Sequence, residues 1–279
     1  MARIRKLFAA LSRRGPHKVL RGDLAFAGLP GVVYTPEAGL NLPGVAFGHD
    51  WLAGTARYAG LLEHLASWGI VAGAPETERG VAPSVLNLAS DLGTALDIVS
   101  GVRLGPGKIS VHPAKLGVAG HGFGASAAVF AAAGMPTQLA SAVALFPTAS
   151  SPPAEQPGAA LKLPGLILSA PGDPETLNSN ALGLSVAWKT GTLRIVDKAK
   201  PGGLVEGRRL TQAFGLPGPH RRTQRTVRAL LTGYLLYTLG GDKTYREFAD
   251  PEVDLPKTSR PDPEAEPVTL EDKIVALLK

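Results

Sequence analysis

Lys115-Leu116-Gly117-Val118-Ala119-Gly120-His121-Gly122-Phe123-Gly124-Ala125-Ser126-Ala127-Ala128 is the stretch that decides how this chain folds. An apolar, partly β-branched run (Lys115 to Ala119) drives into a bend with glycine at 120, 122 and 124 and leaves it as an alanine-rich helix. A strand that turns this tightly into a helix is half of a βαβ unit, and the flanking sequence supplies more. Gly44 to Phe47 is predicted as a short buried strand, Ala56 to Trp68 as a helix and Ile70 to Ala74 as a strand. Ser84 caps a helix to about Ser100, expected to bury Leu86, Leu92, Leu96 and Val99 and to turn Asp91 and Asp97 outward. Ser141 to Phe146 and Leu163 to Ser169 read as strands around a Pro-rich loop, Thr148 to Pro157. A helix near Ser179–Trp188, a strand Thr192–Val196 and a long helix from about Arg221 to Leu239 follow. Upstream, Asp23 to Tyr34 folds back at Gly28-Leu29-Pro30-Gly31 as an antiparallel hairpin.

Strands alternating with helices predict an α/β protein. Its central sheet is mostly parallel, with helices on both faces and the antiparallel hairpin at the N-terminal edge. Ligands of such sheets bind beyond the carboxyl ends of the strands, so the segments after Phe47, Ala119, Ser169 and Val196 are expected to share one rim.

Composition narrows the classes. The chain has 279 residues and no cysteine, which excludes disulfides, thiolate metal sites and a cysteine nucleophile. No stretch approaches the ~20 apolar residues of a membrane span, and Leu7 to Leu11 is too short for a signal sequence, so the expectation is a cytoplasmic protein. The net charge of +6 belongs to residues 1–20, where Arg3, Arg5, Lys6, Arg13, Arg14 and Lys18 stand without an acid; the other 23 basic and 23 acidic residues cancel. A nucleic-acid groove on the body is therefore not implied.

Three segments are expected: a basic extension over 1–20, a folded domain over 21–250 and an acidic, Pro-rich tail over 251–279. In the extension Ile4, Leu7, Phe8 and Leu11 form one helical stripe with Arg and Lys on the other faces. Such a helix either packs on the body or lies, through residues 3–14, on an anionic membrane surface or a protein partner. In the tail, Pro251 to Pro267 reads as an extended linker, and Thr269-Leu270-Glu271-Asp272 opens a short helix with Ile274, Leu277 and Leu278 on one face.

Four motifs stand in order along the domain: Phe47-Gly48-His49-Asp50-Trp51 after a strand, Gly120-His121-Gly122-Phe123-Gly124, Gly172-Asp173-Pro174-Glu175-Thr176 after a strand, and Leu239 to Phe248 at the end. Over roughly residues 23–250 the chain resembles the α/β-hydrolase superfamily, on the branch that holds dienelactone hydrolases, chlorophyllases and cutinase-like polyester hydrolases. The resemblance implies an α/β-hydrolase fold and a carboxylic-ester hydrolase with a Ser-His-acid triad on a G-x-S-x-G elbow. By that resemblance Gly122 takes the place of the serine, Glu175 that of the acid with Asp173 two residues before it, and Pro201 that of the histidine. Neither glycine nor proline can do the chemistry, so a pseudo-hydrolase that binds a ligand or partner is expected. The alternative is an ester hydrolase, or a His/acid enzyme, with a displaced catalytic set. Ser126, one turn into the elbow helix, and His220, before the final helix, are the substitutes available for nucleophile and base.

The backbone N–H of Phe123 and of the loop holding His49, Asp50 and Trp51 would form an oxyanion notch. With His121 these residues are the expected binding rim for a small acyl or carbonyl ligand, although a carboxylate at Asp50 opposes an oxyanion there. No dinucleotide fingerprint, Walker lysine or metal-ligand spacing is present, so neither cofactor nor metal is expected. The arginines at 208, 209, 221, 222, 225 and 228 are the basic concentration of the body, either a phosphate or acidic-partner site or a solvated helix face.

Overall fold

Alternation along the central strands divides the interior into two cores, one on each face of a sheet. The computed structural model describes residues 2–172, 179–207, 218–262 and 264. Among them, nine strands form one sheet: β1 (Val19–Asp23), β2 (Gly31–Pro36), β3 (Gly39–Gly48), β4 (Val71–Pro75), β5 (Ile109–His121), β6 (Leu139–Leu145), β7 (Gly165–Ser169), β8 (Gly191–Val196) and β9 (Thr258–Ser259). Their spatial order is β1-β2-β4-β3-β5-β6-β7-β8-β9. The run from β4 through β8 is parallel, whereas β1 on β2, β2 on β4 and β8 on β9 are antiparallel. The molecule is thus an α/β protein with a mostly parallel sheet.

Successive strand residues point to opposite faces. Ala46, Val118, Ala142, Ala144 and Ile167 enter one core, which α3 (Val85–Gly101), α4 (Phe123–Gly134), α5 (Glu155–Ala160) and α6 (Ala181–Ala187) cover. Val45, Phe47, Ala119, Val143, Leu166 and Leu168 enter the other, under α1 (Ala2–Leu11), α2 (Ala59–Ser67) and α7 (Arg221–Thr238). Helices on both faces follow from this division.

Several expectations are corrected. The N-terminal pairing is not a hairpin within Asp23–Tyr34: its strands are β1 and β2, joined through a 3-10 turn over Leu24–Ala27 that Asp23 caps. In α3 the capping Ser84 hydroxyl accepts from Asn87 N–H, but Leu86 is exposed and Leu88 takes its buried place. Asp91 is half-buried and accepts the Thr77 hydroxyl at 2.6 Å instead of facing water. The start of the tail is not a linker: Thr258 and Ser259 extend the sheet as β9. Arg194 of β8, only 2% exposed, donates to the carbonyls of Val253 (2.9 Å) and Asp250 (2.5 Å). The helix expected over 269–278 lies outside the described residues.

The N-terminal helix packs on the body. Ile4, Phe8 and Leu11 of α1 are buried in the core beneath α7, and Arg3, Arg5 and Lys6 stay exposed. The apolar stripe that a membrane surface would have to receive is inside the molecule. No helix of the described residues is long and apolar enough to cross a membrane.

Candidate functional site

The bend between β5 and α4 lies at the carboxyl end of the sheet, beside the end of β3. Gly122 there has φ 55° and ψ −117°, a conformation that L side chains rarely adopt. Its N–H donates to Leu145 O at 3.0 Å, fixing the bend to β6. The adjoining Gly124 lies against the backbone of Gly48 and His49, so closely that a Cβ would overlap it. The glycines therefore bring the first turn of α4 onto the loop that follows β3.

That loop delivers Asp50 into the bend. Asp50 Oδ1 accepts the N–H of Phe123 at 3.0 Å and the N–H of Trp51 at 2.8 Å. A Cβ on Gly122 would collide with the same carboxylate. One side chain thus takes up both N–H groups and the space that a side chain on residue 122 would need. Placed at the first N–H of α4, a negative charge is also favoured by the helix dipole.

Behind the carboxylate runs a buried polar chain. The N–H of Asp50 donates to the Tyr58 hydroxyl (3.1 Å), which lies 2.8 Å from His121 Nδ1. His121 Nε2 faces the carbonyl oxygen of Pro201 at 3.1 Å. A carbonyl can only accept, so that contact puts the ring hydrogen on Nε2 and leaves Nδ1 to accept from Tyr58. His121 Nδ1 stands 3.9 Å from Asp50 Oδ2, and the ring is 1% exposed, edge-on to Tyr58 and Phe146. Tyr58 carries no motif in the sequence. Its only signal is a tyrosine at the entry to a helix that packs beneath the rim.

The remaining predicted residues divide clearly. His49, fully buried, spans the carbonyls of Asp50 (Nδ1, 2.9 Å) and Thr77 (Nε2, 2.7 Å), tying the loop after β3 to the loop after β4. Trp51 is 52% exposed beside Leu52, and its indole N–H reaches Val81 O at 3.3 Å. Ser126 is a buried helix serine whose hydroxyl donates to Thr148 O at 2.7 Å, so it is turned away from nucleophilic duty. His220 stands at the residue before α7, its Nδ1 2.8 Å from the Thr223 hydroxyl and its N–H on Gly203 O; it is no partner of the bend. Pro201 opens a 3-10 turn after β8 and offers its carbonyl to His121. Gly122, Asp50, His121, Phe123 and Pro201 are brought together; Glu175 and Asp173 lie outside the described residues.

Of the arginine cluster, Arg221, Arg222 and Arg225 are exposed on α7, Arg228 is paired with Glu206 at 2.6 Å, and Arg208 and Arg209 lie outside the described residues. Among the described residues no group of three or more His, Asp or Glu gathers as metal ligands. No protein-family model matches the chain, and no curated protein matches it.

Chemically, the bend offers a carboxylate whose Oδ1 already accepts from two N–H donors, beside a Gly122 that carries no side chain. A ligand carbonyl would have to displace Asp50 to reach those donors.

Proposed function

We propose that this chain is a catalytically silent member of the α/β-hydrolase superfamily that acts by binding. The strand order, with β2 antiparallel and a strained glycine bend after the fifth strand, supports the fold assignment. So does the pairing of an N–H following the bend with one from the loop after β3, the arrangement of the superfamily's oxyanion hole. The observation that carries the functional half is the seat of Asp50: its Oδ1 accepts from Trp51 and Phe123, where a substrate oxygen would have to sit. A fixed negative charge there raises the energy of an oxyanion, the reverse of what acyl transfer needs. The exposed Trp51 and Leu52 beside it give the rim an apolar contact surface that requires no chemistry.

Assay of the purified protein with short p-nitrophenyl esters tests this reading. It predicts no turnover above the buffer rate. Turnover that disappears in Asp50→Asn or His121→Gln would overturn it.

One observation favours a second reading, an acid–base enzyme: the 3.9 Å approach of His121 to Asp50. Against it, His121 is buried behind Tyr58 and both its nitrogens are engaged. The same pair of variants decides, since this reading requires a bell-shaped pH–rate profile that collapses in either one.

A further inference from the structure

At the other end of the sheet from the glycine bend, where β7 begins, three cations converge on a cleft of about 830 Å³. Arg3 comes from the first turn of α1, and Lys243 and Arg246 from the 3-10 turn over Lys243–Phe248 that follows α7. Arg3 is 240 residues before Lys243 in sequence, and the docking of α1 on the body is what assembles the three. Arg3 Nη2 holds the join, donating to Thr244 O at 3.4 Å. None of the three makes an ion pair among the described residues. Two acids belong to the same turn: Asp242 accepts the N–H of Thr244 at 2.9 Å and caps it, and Glu247 follows Arg246 with Oε2 buried. Pro164 and Tyr237 add apolar surface to the wall.

The geometry points to a binding site for a phosphate-bearing ligand. Three like charges brought together in one concavity repel, and a polyvalent anion relieves that repulsion. A single carboxylate would leave two of the cations uncompensated, whereas a phosphate or pyrophosphate matches the set. Two guanidinium forks and one ammonium are also the donors that phosphate oxygens take best, arginine in bidentate geometry and lysine as a point charge. The ring of Tyr237, 36% exposed, gives an organic portion of the ligand a surface to lie on. A phospholipid headgroup and a free phosphate ester share this chemistry.

The test uses the full chain at low ionic strength with two probes, inorganic pyrophosphate by calorimetry and phosphatidylglycerol vesicles by co-sedimentation, with phosphatidylcholine vesicles as control. The comparison is with Lys243→Gln/Arg246→Gln, two exposed positions whose change leaves the fold intact, and with Arg3→Gln as a third. The site predicts saturable pyrophosphate binding that weakens at least tenfold in the double variant and again on raising salt. If vesicles bind and pyrophosphate does not, with the same loss in the double variant, the source of the phosphate is a headgroup and the site stands. Binding of either probe that is equal in wild type and double variant, or no binding of both, overturns it.

Discussion

Asp50 Oδ1 and the backbone nitrogen of Phe123 lie 3.0 Å apart, so the first N–H of α4 is capped by a side chain from the loop after β3. Gly122, the residue at the local capping position, has no side chain with which to do this. The cap is therefore tertiary. The glycines that bring strand and helix so close also allow one carboxylate to reach both Phe123 and Trp51.

Removing that cap has a measurable cost. Asp50→Ala leaves two N–H groups without an acceptor and is expected to destabilise the fold by about 1–3 kcal/mol. Asp50→Asn keeps a carbonyl oxygen as acceptor and should lose less than half as much. Urea midpoints of the two variants check this; equal losses would mean that the charge, and not the acceptor, holds the loop.

Gly122 and Asp50 should be coupled. Gly122→Ser places a Cβ against the carboxylate and also meets the strained φ 55°, ψ −117° backbone, about 1–3 kcal/mol unfavourable for an L residue. In an Asp50→Gly background only the second cost remains. A double-mutant cycle is expected to show a coupling of at least about 1 kcal/mol, with the serine less harmful in the double variant. Additive effects would place the carboxylate elsewhere.

Much of this architecture was legible in the sequence. The apolar runs at Ile70–Ala74, Leu163–Ser169 and Thr192–Val196 locate three strands within two residues, because buried parallel strands are continuously apolar and glycine or proline bounds them. Leu86 is the wrong choice by the helix's own period: Leu88, Leu92, Leu96 and Val99 follow one another at three- and four-residue spacings on one face, and Leu86, two positions before Leu88, lies off it. Thr258 and Ser259 gave no strand signal at all: two polar residues beyond Pro256 become β9 through the backbone of β8 and the grip of Arg194. At the site, two separate motifs, at 47–51 and 120–124, mark the loops that the pairing of β3 with β5 brings together, and the acidic residue at 50 is legible in the first of them. That its carboxylate caps Phe123 depends on the loop's path across 73 residues of sequence separation, which no local pattern encodes. Tyr58 is illegible for the same reason: its hydroxyl meets His121 across 63 residues of sequence separation.

Arg194 should hold the segment that leads into β9. Its guanidinium donates to the carbonyls of Asp250 and Val253, and burial pulls its pKa below the usual arginine value, so the charge is retained against a desolvation cost. Arg194→Met removes both bonds, each worth about 1.5–3 kcal/mol as hydrogen bonds to a charged group, and also relieves the burial of the charge. A net loss of about 2 kcal/mol is expected, together with faster tryptic cleavage after Lys257. An unchanged cleavage rate would show that β9 pairing alone secures the segment.

The docking of α1 predicts a large effect from a helix that resembles an appendage. Leu11 is fully buried and Phe8 is 4% exposed, with the Lys257 ammonium 5.5 Å above its ring. Leu11→Ala is expected to lose about 2–5 kcal/mol and Phe8→Ala about 3–5 kcal/mol. Ala9→Gln, on the exposed face, should stay within about 0.5 kcal/mol of wild type. Equal, small losses in all three would mean that α1 is detached in solution.

The same interface sets an acid limit on stability. His64 of α2 is 5% exposed beneath α1, and its Nε2 has no hydrogen-bond partner. Burial first, and then the Arg228 guanidinium, push its pKa down to about 4, with a backbone contact to Leu11 opposing them. The native ring therefore stays neutral while the unfolded chain, with an ordinary value of 6.5, takes up a proton as the pH falls. The unfolded state binds more protons in that window, so stability declines from about pH 7 to about pH 4, by roughly 3 kcal/mol from this residue, and levels off below. His64→Leu removes the titrating group and the unpaired nitrogen together. Urea unfolding at pH 7.5 and 4.5 should show the variant gaining on wild type by about 2–3 kcal/mol between the two conditions. Parallel acid limbs in the two proteins would mean that His64 becomes charged without opening the α1 interface.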